Sequence, residues 1–519
     1  MELKLALPAY APPQANVETR PKQVQAWLNA LPLAHSQAAG RQLADAIAAT
    51  NSVKLSEEAR CNLLEMYRAT VNTLLPSLQQ LYLGKPLPLS EKSQQAAALL
   101  RTLYGELANG YKRVLLDLAG RHAHASKLVP LALARASAYL GGVLEVFYET
   151  YAPTPAGSWS DLHRLYWYAA KLNVHKAPIT EQDTSNIDII YTQVLLLALA
   201  DPYRLLQGQL AVVKTYLAQF GQQALLQPMG PIDNKHGLFL VRLDSDKSPK
   251  ALLHYQGVTD AGSDIILNTI PLARVLHRHI QELDLPPLGK SALPQGAHPA
   301  GYRDLLKHLM KQWGIAPKRL FNRAQGQAEA DICGGISALH RLLSVGEESD
   351  DLVQTATLEV SDALHVTGSP LAHNCARWLV VNESAGGVTL AKAPGSQSKI
   401  KVGDIIGMDT GQPGARGIAL VRWMQSSAPN RVEAGAQMLA PQAEAITLKP
   451  VIAAANALFQ PALLLPEEPL LKQPARIVAA RGSFQSMREF EVRSRGSIHL
   501  VRADQLLEQT DSLDLFTFN

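Results

Sequence analysis

From about Lys22 to Leu225 apolar residues return every three or four positions. The clearest run is Leu100, Leu103, Tyr104, Leu107, Tyr111, Val114, Leu115 and Leu118, which at 3.6 residues per turn lie on one face of a helix. Ser56 followed by Glu57 and Glu58, and Ser90 followed by Glu91, supply hydroxyl caps and first-turn acids, so helices are expected to start there. Pro202 ends or kinks the apolar helix that contains Leu195 to Leu199, and Gly120, Pro153, Pro155 and Gly157 punctuate the others. This stretch reads as an α-helical bundle. Tyr166, Trp167 and Tyr168 fall on its helical pattern and are expected to pack inside it.

Near Pro228 the period shortens. Leu238, Leu240 and Leu243, then Ala251 to Tyr255 and Ile265 to Leu267, suggest a small β insert. Pro271 to Leu285 returns to helical spacing, Pro286 to Pro299 reads as a Pro/Gly linker, and Arg303 to Trp313 as a last helix. Everything after Pro317 reads as β, with strand signals at Ile332 to Ile336 and Arg377 to Val381 and Gly-rich turns at Gly386-Gly387 and Gly411 to Gly417. Beyond Pro450 a short helix (Ile452 to Phe459) precedes strands at Arg476 to Ala480, Arg488 to Val492 and Ser497 to Val501. The expected architecture is α+β and multidomain: a helical bundle over 1–225, a mixed β insert with helices over 226–316, a β domain over 317–450 and a small, mostly β appendage over 451–519.

Length agrees with that division, since 519 residues at about 100–200 per domain make one core improbable. The 47% hydrophobic and 18% charged fractions are those of a globular chain rather than a disordered or fibrous one. Forty-nine basic residues against 45 acidic ones leave only +4, too diffuse for a duplex nucleic-acid partner, so an anionic ligand must meet a local patch. Three cysteines far apart, Cys61, Cys333 and Cys375, argue for reduced thiols in a cytoplasmic chain and against a disulfide framework or a zinc site. The amino terminus lacks the apolar length of a signal peptide, and the longest apolar run, Val194 to Ala200, is too short to span a membrane. His122 with His124 and His277 with His279 sit two apart, a spacing that lines one face of a strand but not of a helix, and no acid or cysteine is locally placed to complete a metal site. No metal, cofactor or catalytic residue is expected, because no phosphate-binding loop, dinucleotide fingerprint or hydrolase elbow is present.

One segment concentrates charge: Lys318-Arg319-Leu320-Phe321-Asn322-Arg323 puts two arginines four apart just before a strand. Asn382-Glu383-Ser384-Ala385-Gly386-Gly387 follows at a later strand-to-turn junction. These two motifs resemble those of the PilZ domain family, RxxxR and [D/N]xSxxG, matched here by Arg319 and Arg323 and by Asn382, Ser384 and Gly387. Residues 400–407, 417–423 and 432–439 are similar to the family's later barrel strands. The resemblance covers about 317–450 and implies an antiparallel β-barrel there that binds cyclic di-GMP through Arg319, Arg323, Asn382, Ser384 and Gly387; Lys318, beside the arginine pair, is placed to add a third cation.

The chemistry of these residues suits such a ligand, a dianion with two guanines. A guanidinium donates paired hydrogen bonds to guanine O6 and N7 or to phosphate, and stacks on a base, which an ammonium does not. Asn382 and Ser384 can read a guanine edge, and Gly387 allows a positive φ and close backbone approach. Fifty-eight residues separate Arg323 from Asn382, more than a plain PilZ barrel needs. An insert is therefore expected at Ser344 to Pro370, bearing the acids Glu347, Glu348, Asp350 and Asp351.

The function that follows is a non-catalytic receptor that couples cyclic di-GMP to protein signalling, in control of motility, pili, polysaccharide or biofilm. Its helical region would engage an unidentified protein partner or a second copy of the chain. The rivals are a scaffold whose barrel binds no nucleotide and an enzyme within residues 1–310.

Overall fold

The computed structural model describes residues 3–10, 17–119, 126–180, 183, 185–284, 299–314, 324–344, 375–384, 386–393, 400–409, 416–428, 431–452, 458–468 and 473–519. The chain divides into two compact units, residues 1–85 with 89–318 and residues 86–88 with 319–519.

The first unit opens with helices α1 (Pro21–Asn29), α2 (Ser36–Ser52), α3 (Glu57–Gln79), α4 (Glu91–Ala119), α5 (Leu128–Glu149), α6 (Ser160–Lys171), α7 (Ile187–Leu199) and α8 (Gln209–Phe220). Ser56 caps α3 by accepting from Ala59 N–H, and Ser90 accepts from Ser93 N–H at the start of α4. All eight residues of the apolar run from Leu100 to Leu118 are buried, so the period of the sequence is the inner face of α4. Tyr166 and Tyr168 are buried in the bundle and Trp167 packs on it. Among the described helices α5 is the one long and apolar enough to cross a membrane. Here its Val129, Ala132, Leu133, Ala136, Leu144 and Val146 face the bundle's cores.

A four-stranded antiparallel sheet follows, in the order β1-β4-β2-β3, from β1 (Leu225–Pro228), β2 (Leu238–Arg242), β3 (Lys250–Ala251) and β4 (Asp264–Asn268). Of the strand expected at Ala251 to Tyr255, only Ala251 pairs, because Leu252–His254 turns as a 3-10 helix. Helices α9 (Ile270–Asp284) and α10 (Pro299–Gly314) close the unit, with buried Trp313 donating its indole N–H to Leu196 O at 3.0 Å.

Glu149, at the end of α5, accepts a 2.6 Å hydrogen bond from Tyr82. Burial pushes its carboxyl up to about 7, opposed by the Tyr82 hydroxyl and reinforced by Glu145. Below the ordinary carboxylate range the group is neutral whether folded or unfolded and costs nothing. As pH rises towards 7 the unfolded chain ionises first, so stability falls. Calorimetry should show the first unit losing a few degrees of melting temperature from this group between pH 4.5 and 7. Glu149→Gln should remove that slope, and an unchanged slope would refute the assignment.

The second unit is two closed antiparallel barrels. The first runs β10-β7-β6-β5-β8-β9, built from β5 (Ala324–Gly334), β6 (Cys375–Ser384), β7 (Gly387–Lys392), β8 (Ile405–Asp409), β9 (Arg416–Ala428) and β10 (Arg431–Ala440), with helix α11 (Ile336–Ser344) after β5. The second runs β11-β12-β13-β16-β15-β14, from β11 (Glu444–Pro450), β12 (Gln460–Leu465), β13 (Arg476–Ala480), β14 (Glu489–Ser494), β15 (Ser497–Gln509) and β16 (Leu513–Phe518).

Several expectations are corrected here. Residues Ile336–Ser344 are helical, not β; Leu339 of α11 is buried between the barrels, which rewards a helical face. Strand β11 closes the second barrel, so a boundary at 450 falls one strand late, and what was expected as an appendage is a complete barrel. Of the helix expected at Ile452 to Phe459, residues 453–457 lie outside the described residues and strand β12 begins at Gln460. Cys333 and Cys375 form a disulfide rather than two free thiols, because the β5–β6 register sets them directly opposite each other.

One apolar core joins the barrels, with Leu339, Ile405, Ile418, Leu420 and Leu439 meeting Leu463, Leu465, Val478, Leu513 and Leu515. Polar ties surround it: Thr510 Oγ1 donates to Gly403 O at 2.8 Å, buried Arg476 Nη2 to Leu439 O at 2.9 Å, and Arg422 Nη2 to Glu508 Oε2 at 2.7 Å.

Candidate ligand site of the first barrel

Burial along β6 alternates as a barrel strand requires. Trp378 and Val380 are buried and Asn382 and Ser384 half-buried, while Arg377, Leu379, Val381 and Glu383 are exposed. The motif's two polar side chains therefore continue the inward row. On the outer row Arg377 is already engaged, by Glu329 at 3.0 Å and Asp331 at 3.2 Å.

The β6 ladder is interrupted next to Asn382 on both sides, with register shifts against β7 between Val380 and Asn382 and against β5 between Gln325 and Ala328. Such bulges bend a strand and re-aim a side chain. Asn382 stands opposite Thr389 of β7 and Gln325 of β5. Among the described residues its buried Oδ1 has no hydrogen-bond partner, and neither has the buried Thr389 Oγ1 on the residue across from it. Unpaired buried polar atoms cost free energy. An amide oxygen and a hydroxyl on paired residues beside one bulge therefore suit a polar ligand edge: Asn382 Oδ1 can accept from guanine N1–H or N2–H.

Ser384 Oγ donates to Gly387 O at 3.1 Å, which tightens the β6–β7 hairpin where Ser384 pairs with Gly387. Of the two grounds expected for Gly387, positive φ does not hold, since it is not among the positive-φ residues. Close backbone approach does: a Cβ there would stand 2.5 Å from Ala436 O of β10. Because that carbonyl belongs to a ladder strand and cannot yield, Gly387→Ala should cost about 1–3 kcal/mol in urea unfolding. A wild-type midpoint would refute the steric reading.

Lys318, Arg319 and Arg323 lie outside the described residues, as do the insert's Glu347, Glu348, Asp350 and Asp351. Strand β5 begins at Ala324, immediately after Arg323, and its Ala324 and Gln325 pair with Glu383 and Asn382. The register thus sets the start of β5 beside the second motif. Sequence reasoning missed Thr389. The available signal was its place two residues beyond Gly387, which on a strand puts both on one face.

Comparison with known proteins bears on the family and the division of the chain. Three family models tile the chain: the N-terminal domain of the cyclic-di-GMP receptor FimW over 22–231, its middle PilZ domain over 238–369 and 369–445, and its C-terminal β-barrel domain over 446–519. The cyclic-di-GMP receptor FimW of Pseudomonas aeruginosa is 26% identical, in an alignment covering 99% of this chain and 93% of that protein. No solved structure matches.

Proposed function

Because the chain belongs to the PilZ domain family, in the three-part arrangement of FimW, we propose that it is a cyclic di-GMP receptor. The ligand site joins the Asn382–Gly387 hairpin to the arginines that precede β5. The observation that carries this reading is the buried Asn382 Oδ1, without a hydrogen-bond partner among the described residues, on the strand that pairs with the residues following Arg323. Arg319 and Arg323 clamp phosphate and guanine through their planar forks, and Asn382 and Thr389 read the base edge that enters the bulge. The outcome is a signal to a protein partner engaged by the helical region 1–225, rather than catalysis.

Isothermal titration of the full chain with cyclic di-GMP tests the proposal. Saturable binding that weakens as salt rises is expected; no heat at any concentration would leave a scaffold that binds no nucleotide. Lys318 adds a third cation beside the arginine pair, enough to favour a self-stacked ligand dimer with four charges. An endpoint near two ligands per chain, falling towards one in Lys318→Ala, is expected. An endpoint near one that does not change in that variant would refute the dimer. Amide exchange over 317–323 should slow on saturation, and unchanged exchange would refute the clamp.

A further inference from the structure

Residues Leu3–Tyr10 run along α4 and α6, and the side chains that hold them bind their main chain. Arg164 Nη1 donates to Lys4 O at 2.8 Å, and the Asp161 carboxylate accepts from Ala6 N–H at 3.2 and 3.3 Å. Lys112 Nζ donates to Ala6 O at 2.6 Å and Arg113 Nη2 to Pro8 O at 2.7 Å. The bonds fall on residues 4, 6 and 8, the two-residue period of an extended chain. The odd positions Leu3 and Leu5 pack on the bundle core. At the far end the Arg113 guanidinium lies 4.1 Å over the Tyr10 ring.

The polar floor of this groove is itself buried. Lys112 and Asp161 pair at 2.9 Å with side chains only 5% and 7% exposed. A buried ion pair is costly unless its remaining donors and acceptors are met, and here the Ala6 peptide unit meets both. The side chains of Ala6 and Pro8 are exposed, and the polar contacts just described reach only backbone atoms at those two positions, while the Tyr10 hydroxyl also reaches Asp117 at 3.5 Å. Main-chain recognition with apolar anchors at alternate residues is the chemistry of a peptide-binding groove.

We propose that the groove between α4 and α6 is a binding site for an extended peptide with apolar side chains at alternate positions, presented by a protein partner, and that residues 3–10 occupy it in cis. A cis occupant competes at an effective concentration in the millimolar range, so the partner gains access when the segment's anchors are released.

The test uses the full chain carrying Leu3→Glu and Leu5→Glu, and a fluorescent, end-capped peptide of residues 3–10 as probe, followed by anisotropy. The variant is expected to bind the probe at least about tenfold more tightly than wild type. A peptide with glutamate at both leucine positions should bind neither protein. Adding Arg164→Ala to the variant should weaken probe binding several-fold without moving the melting temperature. Failure of a variant that melts like wild type to bind the probe overturns the proposal, as does equal binding of the glutamate peptide. If the double variant does not fold, Leu5→Ala, which removes one anchor, makes the same comparison, and equal affinity to wild type overturns it. If wild type self-associates and the probe dissolves the oligomer, the occupant is a second copy, and the assignment to another protein is overturned.

Discussion

Replacing Arg319 and Arg323 together with alanine is expected to weaken cyclic di-GMP binding at least about 30-fold, since each guanidinium contributes about 1–3 kcal/mol of charge-assisted bonds to base or phosphate. The cost falls on the ligand rather than the fold, because the two residues precede β5 and the described ladder starts at Ala324. Unfolding midpoints should therefore match wild type. Lysine at both positions keeps the charge and should preserve the salt dependence of whatever binding remains. It should not restore affinity, because an ammonium has no planar fork. Titration at two salt concentrations separates these outcomes, and undiminished affinity in the double alanine variant would sink the site.

Reduction of the Cys333–Cys375 disulfide is expected to cost the second unit about 2–4 kcal/mol in urea unfolding. The bond links positions 42 apart in sequence, so breaking it frees a long loop in the unfolded chain. It lies on the pair of strands flanking the excursion that holds the expected insert. Counting thiols checks the bond directly. Cys61 is buried and its thiol is pushed up to about 11 by burial, so the native oxidised protein should show no fast-reacting thiol and the denatured one a single thiol. Three thiols in the denatured, unreduced chain would refute the bond, and equal midpoints with and without reductant would refute its contribution.

The cysteines also show where the sequence stopped speaking. Their pairing is a property of the β5–β6 register, and nothing local to Cys333 or Cys375 encodes a neighbour 42 positions away. The helical bundle was legible because its signal is local: each apolar residue of α4 has its same-face neighbour three or four places on. The two motifs of the candidate site were legible for the same reason, as short patterns of residue type. What they touch was not. Gly387 could be recognised as a position without a side chain, but the carbonyl of Ala436 that forbids one arrives from β10. Asn382 could be named, but its buried, unpaired oxygen and its bulge depend on strands on either side. Helix α11 was hidden by its setting. Ile336–Ser344 carries an amphipathic helical pattern, yet it interrupts a run of strands whose β-branched residues dominate the local reading. Its reward comes from the second barrel, which lies more than a hundred residues onward.

That reward bears on how the chain can be cut. The family models meet at residues 445 and 446, yet Leu339, Ile405, Ile418 and Leu420 share their core with Leu463, Val478 and Leu513 across that border. A first barrel severed there would carry a raw apolar wall into water, and burying that wall again would take another copy of itself. The first barrel is therefore not a portable cassette. Transplanted into a reporter, it must bring its companion to the last strand, and exchanging the companion for another output would mean redesigning both faces at once.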